Sequence, residues 1–170
     1  MASPPESRPR QAIAAGGAGR EARVAYVSWI LRPSVVADAE WIAELRAVVL
    51  RADLERLGRF DPVRVRHRFR AAFDPAVTHV IVVDGREAGS IALRPADDGI
   101  WLEHFYLDAA LQGHGIGSGI LASVLDAPDT FRLNVLQGSP ARRLYERHGF
   151  EPASEDEIDV FMVRPSRTDR

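Results

Sequence analysis

Neither cysteine nor lysine occurs among the 170 residues. Without cysteine there can be no disulfide, no thiolate zinc site and no cysteine nucleophile. Without lysine there can be no Schiff base and no phosphate-loop lysine; all 22 basic residues are arginine. No apolar run approaches the roughly 18 residues that a membrane span needs. Neither sign of charge dominates. A net charge of -2 gives no global attraction for nucleic acid or an anionic membrane. Residues 1–22 lack the continuous apolar segment of a secretory signal. The expectation is a cytoplasmic chain whose partners are neither nucleic acid nor membrane.

The 46% hydrophobic content suffices for a core, and the length suits one domain. The Ala-, Gly-, Pro-, Ser- and Arg-rich residues 1–22 are expected to form a disordered tail, residues 23–164 the folded domain, and residues 165–170 a short C-terminal tail. "RVAYVSWILRP" (23–33) has the composition of a strand. "SVVADAEWIAELRAVVLRADLERL" has helical spacing, with Ser34 as the expected N-cap and Gly58 as the stop. "DPVRVRHRFRAAF" (61–73) fits two periods. Its valines and Phe69 alternate with arginines as in a strand, yet Val65, Phe69 and Phe73 would share one helical face. Two strands then flank the hairpin signal Asp84-Gly85, and "IWLEHFYL" (100–107) is a third. A helix over 116–125, a strand over 130–136 and a short helix from Ser139 to Gly149 follow. Two strands near 150–153 and 158–163 close the chain. The assembly expected is an α/β mixed sheet with helices on both faces.

"QGHGIGSG" (112–119) lies between a strand and a helix. A helix's first amides point outward, its dipole favours an anion, and glycine lets backbone approach closely. A flexible turn is the equal alternative from this segment alone. The glycines at 113, 115, 117 and 119 miss the dinucleotide spacing, and three strands precede them rather than one.

The stretch "HFYLDAALQGHGIGSGIL" resembles the acetyl-CoA motif of the GNAT superfamily of N-acetyltransferases, with Gln112, Gly115 and Gly117 at its fixed positions. About 30 residues on, Ala141, Leu144, Tyr145, Glu146, Gly149 and Phe150 match a second signature of that family. The resemblance covers roughly 23–164. It implies a mostly antiparallel six- to seven-stranded sheet with a splay between the fourth and fifth strands, and it favours the helical alternative for 61–73. Ala109 stands where the family usually has proline. Gly138 and Ser139 stand where it usually has asparagine, so Ser139 and Asn134 are the candidates to replace that contact.

The resemblance also implies roles. The backbone of Gln112, Gly113, His114, Gly115, Ile116, Gly117 and Ser118 would hold the coenzyme's pyrophosphate. Phe105, Tyr106 and Leu107 would pair with the pantetheine arm as an added strand does. Tyr145 would protonate the leaving thiolate, its alternative being a packed tyrosine. For the base, Glu103 and His104 are adjacent on a strand and so are expected on opposite faces. Glu103, sharing a face with Phe105 and Leu107, is preferred to His104; a water is the alternative to both. The Arg64–Arg70 alternation is read as a solvated face, with nucleic acid or the coenzyme's 3′-phosphate as alternatives. "SEDEID" (154–159) is expected to be an acidic hairpin. His148 is expected to pack or to serve the helix end. The five histidines lack metal-ligand spacing, so no metal is expected. The activity expected is acetyl transfer to a small-molecule primary amine. The alternatives are a non-catalytic acyl-CoA-binding or regulatory module and a protein or peptide acetyltransferase. Relatives often form homodimers.

Overall fold

The computed structural model describes residues 27–166. The expected tails at 1–22 and beyond 166 therefore lie outside the described residues, as does the start of the first expected strand. Seven strands form one sheet: β1 (Trp29–Pro33), β2 (Thr78–Val83), β3 (Arg86–Ala96), β4 (Gly99–Leu107), β5 (Phe131–Leu136), β6 (Glu151–Glu155) and β7 (Asp159–Arg164). Their order across the sheet is β1-β2-β3-β4-β5-β7-β6. Every pairing is antiparallel except β4 with β5. The helices are α1 (Asp38–Val49), α2 (Arg51–Arg56), α3 (Pro62–Ala72), α4 (Ile116–Val124) and α5 (Ala141–Arg147). Among the described residues no helix is long and apolar enough to cross a membrane.

Residues 61–73 form a helix because a cap and a face both favour it. The Asp61 carboxylate accepts from the amides of Val63 and Arg64 (2.9 and 2.8 Å), and Pro62 stands in the first turn. Val65 and Phe69, four residues apart, are then buried together. The expected N-cap Ser34 does not cap. The helix starts four residues later, and the Ser34 hydroxyl donates to the Pro75 carbonyl (3.4 Å). No side chain caps α1; the Asp38 carboxylate instead accepts from the Val35 amide just before the helix (2.8 Å), while Arg32 holds it from the other side (2.8 and 2.9 Å). Those bonds from Arg32 keep the Asp38 carboxyl well below the usual carboxylate range. The single helix expected over 34–57 is also interrupted at Leu50, which separates α1 from α2.

Two apolar clusters lie on opposite faces of the sheet. Val80 packs with Ile42, Ala43, Phe69 and Tyr106, the cluster of α1 and α3. Its neighbour Ile81 packs with Ile116, Ile120 and Leu121 of α4. Successive strand residues point to opposite faces, so α1 and α3 cover one side and α4 the other. At Gly89 two strands approach so closely that an added Cβ would meet the Tyr106 carbonyl oxygen, well inside contact distance. Neither backbone can yield cheaply. Gly89→Ala is expected to cost about 3 kcal/mol of stability, read from denaturant midpoints; an unchanged midpoint would show that the strands separate freely.

Candidate active site

β4 and β5 pair only at Ile100↔Phe131 and Trp101↔Arg132. Beyond that they part, because β5 turns to its antiparallel partner β7 while β4 stays with β3. The expected splay is present. A cavity of about 850 Å³ opens beside it, lined by β4, β5 and α5 and walled by α1, α2 and α3. α2 is tied across to the far side by Arg56, whose guanidinium donates to the Gln137 carbonyl (2.5 Å).

The alternation expected along β4 fails at its centre. The ladder slips between Ser90 and Ala92, so His104 and Phe105 together oppose Ile91. His104 takes φ +50°, a left-handed conformation uncommon outside glycine. The Ser90 hydroxyl donates to its displaced carbonyl (2.8 Å). Leu102 packs in the α4 cluster, which sets Glu103 on the α1–α3 side; the bulge keeps His104 on that side as well. Glu103 therefore does not share a face with Phe105 and Leu107. Both Glu103 and His104 line the cavity, and nothing in "EHFYL" announces the bulge.

Their chemistry differs. Arg94 grips both oxygens of Glu103 (2.7 and 3.1 Å). His104 lies edge-on to Phe69 (5.0 Å between ring centres), and its Nδ1 is 3.2 Å from the Tyr106 hydroxyl. The same hydroxyl accepts from Arg46 Nε (2.9 Å), and Arg46 also reaches the Val65 carbonyl. Burial lowers the His104 pKa from 6.5; Glu103 opposes this and Arg46 adds to it. Burial raises the phenol of Tyr106. Arg46, which no motif singles out, orients the pair.

On the opposite face the Gln112 amide donates to the Leu107 carbonyl (2.8 Å), tying the glycine loop to the end of β4. Gly115 takes φ +81° as the residue that opens α4. The first bond inside the helix runs from the Gly119 amide to the Gly115 carbonyl (3.0 Å), which leaves the amides of Ile116, Gly117 and Ser118 without helical partners. A Cβ on Gly117 would lie 3.5 Å from Leu144 and 3.8 Å from Phe105, in the passage from loop to splay. This loop has the free amides and the bare backbone that a pyrophosphate requires. His114 is exposed. The Ser118 hydroxyl is 2.8 Å from His148 Nε2, so His148 links the end of α5 to the first turn of α4.

Tyr145 is buried, edge-on to Phe150 (5.9 Å), and lines the cavity. Among the described residues its hydroxyl makes no hydrogen bond, and burial raises its pKa. Asn134 and Ser139 also line the cavity. Asn134 donates to Asp159 (2.9 Å), and the Ser139 hydroxyl accepts from the Ala141 amide (3.4 Å); the helix starts one residue later than expected, with Pro140 and not Ser139 at its N-cap. In the acidic hairpin Asp156 caps its own turn through Ile158 and Asp159 (2.8 Å each). No cluster of three metal-ligating side chains forms among the described residues.

A seven-stranded mixed sheet thus parts between β4 and β5 beside a helix opened by glycine. Residues 74–152 match the sequence model of the acetyltransferase (GNAT) domain. That match spans both sequence signatures and assigns residues 74–152 to this family. No curated protein matches the chain. The PaiA N-acetyltransferase of Thermoplasma acidophilum, solved in complex with coenzyme A, is similar with a TM-score of 0.65 at 18% identity, over 81% of this chain and 99% of that one. PH1933 of Pyrococcus horikoshii OT3 gives 0.64 at 22% identity, over 82% and 99%. The apo form of YjaB from Escherichia coli gives 0.65 at 18% identity, over 81% and 97%. At these identities the likeness shows the fold.

Proposed function

We propose that the protein transfers an acetyl group from acetyl-CoA to the primary amine of a small molecule by direct attack. The parting of β4 from β5 beside Tyr145 and the opening of α4 carries this reading. It leaves a strand edge for the pantetheine arm, and the α4 amides lie at its end for the pyrophosphate. The coenzyme A complex of the similar PaiA enzyme supports the donor. An 850 Å³ cavity suits a small acceptor.

The amine nitrogen attacks the thioester carbonyl carbon. The N–C bond forms, and the oxyanion is met by an amide of the parted β4 edge. The C–S bond then breaks, and the thiolate takes the proton of the Tyr145 hydroxyl. The ammonium proton leaves by way of His104. In the tautomer whose Nδ1–H donates to the Tyr106 oxygen, Nε2 presents its lone pair. Glu103, engaged at both oxygens by Arg94, is the poorer base.

Calorimetry with acetyl-CoA and thiol release over an amine panel test the activity; binding without release on any amine would leave a coenzyme-binding module. The base is tested by pH. The neutral form of His104 dominates above its lowered pKa, so kcat/KM should fall along an acidic limb with a midpoint below 6.5. His104→Gln should remove that limb and Glu103→Gln should keep it. A limb that survives in His104→Gln excludes the histidine.

A further inference from the structure

The four arginines of α3 sort by helical spacing into two pairs four residues apart. Arg66 and Arg70 turn to α1, where Arg66 bonds Glu44 (2.7 and 2.8 Å) and Arg70 bonds Glu40 (2.9 and 3.1 Å). Arg64 and Arg68 occupy the other side of the helix and line the cavity, joined there by Arg59 from the segment before α3. Among the described residues none of these three makes a side-chain hydrogen bond or a salt bridge. The arginines lie on the solvated face expected from the alternating sequence, Arg64, Arg68 and Arg70 exposed and Arg66 half-buried, but their partners divide them into two sets.

The cavity lining holds five arginines against two acids, Glu103 and Asp159. Arg94 is matched to Glu103, and Arg46 is spent on Tyr106 and the Val65 carbonyl. The charge without a hydrogen-bonded acid gathers at Arg59, Arg64 and Arg68, of which Arg64 feels the Asp61 carboxylate only through space. Like charges aimed into one concave wall repel one another and concentrate an anionic solute. The free amides of α4 belong to the opposite face of the sheet, so these arginines attend the acceptor and not the coenzyme's pyrophosphate.

We propose that the acceptor amine also carries an oxyanion, a carboxylate or a phosphate, held by Arg59, Arg64 and Arg68 while the amine faces His104 and Tyr145. Guanidinium groups suit either anion, since their paired N–H donors match two oxygens. The proposal rests on the transferase reading, and it separates this site from one built for a polycationic amine, which the same charges would repel.

The test is calorimetric binding of matched probes, with and without coenzyme A. α-Amino acids are compared with their amides, and O-phosphoethanolamine with ethanolamine. The anionic member of at least one pair should bind about tenfold or more tighter, and the pair that shows it identifies carboxylate or phosphate. In the double variant Arg64→Gln/Arg68→Gln the preference should vanish, while coenzyme A affinity and the thermal midpoint stay put. Equal binding within both pairs, or a preference that persists in the double variant, overturns the proposal. If acetyl-CoA does not bind at all, the transferase reading fails instead, and the coenzyme-free titrations still decide the anion site.

Discussion

Tyr145→Phe is expected to lower kcat about tenfold or more while coenzyme A affinity stays within about twofold. The substitution removes one oxygen and little else. The ring keeps its edge-on contact with Phe150, and no protein hydrogen bond is lost, because the hydroxyl has no partner among the described residues. A structural tyrosine replaced by phenylalanine at such a place would be nearly silent. A general acid would not be, because the departing thiolate must take its proton from somewhere. Burial, and then the neighbouring Tyr106, raise the phenol's pKa above 10.0, so the proton is present across the neutral range. Tyr145 should therefore add no basic limb to the pH profile below about pH 10. Steady-state thiol release together with calorimetry separates the outcomes; an unchanged kcat would remove Tyr145 from the chemistry.

Gly117→Val is expected to weaken coenzyme A binding by about 100-fold or more with little change in the thermal midpoint. Gly115 is the less clean target, since its φ of +81° would strain any side chain even without a ligand. Gly117 has no such requirement. A Cβ there would make ordinary contacts with Leu144 and Phe105, so the free protein tolerates it. The extra carbons would instead fill the passage between the α4 amides and the parted edge of β4. In the proposed function the pyrophosphate and the pantetheine arm share that passage. Calorimetry beside a thermal melt gives the answer: retained affinity would mean that the glycine run is a turn and nothing more.

Element types were largely legible in the chain because each rests on local chemistry. Asp84-Gly85 turns a hairpin, and Asp61-Pro62 starts a helix. The two signatures around Gln112–Gly117 and Ala141–Phe150 were legible for the same reason, since each is a short run whose spacing survives without its neighbours. Ser34 misled because capping depends on which carboxylate or hydroxyl the rest of the fold leaves free. Asp38 was held in place by Arg32, on another element.

The order of elements, the glycine-rich start of α4 and the place of Tyr145 on α5 could be read from the chain alone. Each follows from backbone conformation and periodicity, which act over a few residues. Only the tertiary structure decided which side chains meet. The bulge that puts Glu103 and His104 on one face comes from the β3–β4 register, a property of two strands together. The pairing that silences Glu103 needs Arg94 from the next strand. The division of the α3 arginines into a paired set and a free set needs the glutamates of α1. Alternation along one strand and charge along one helix are visible in one dimension. Partners are chosen by packing across the sheet, which no single segment contains.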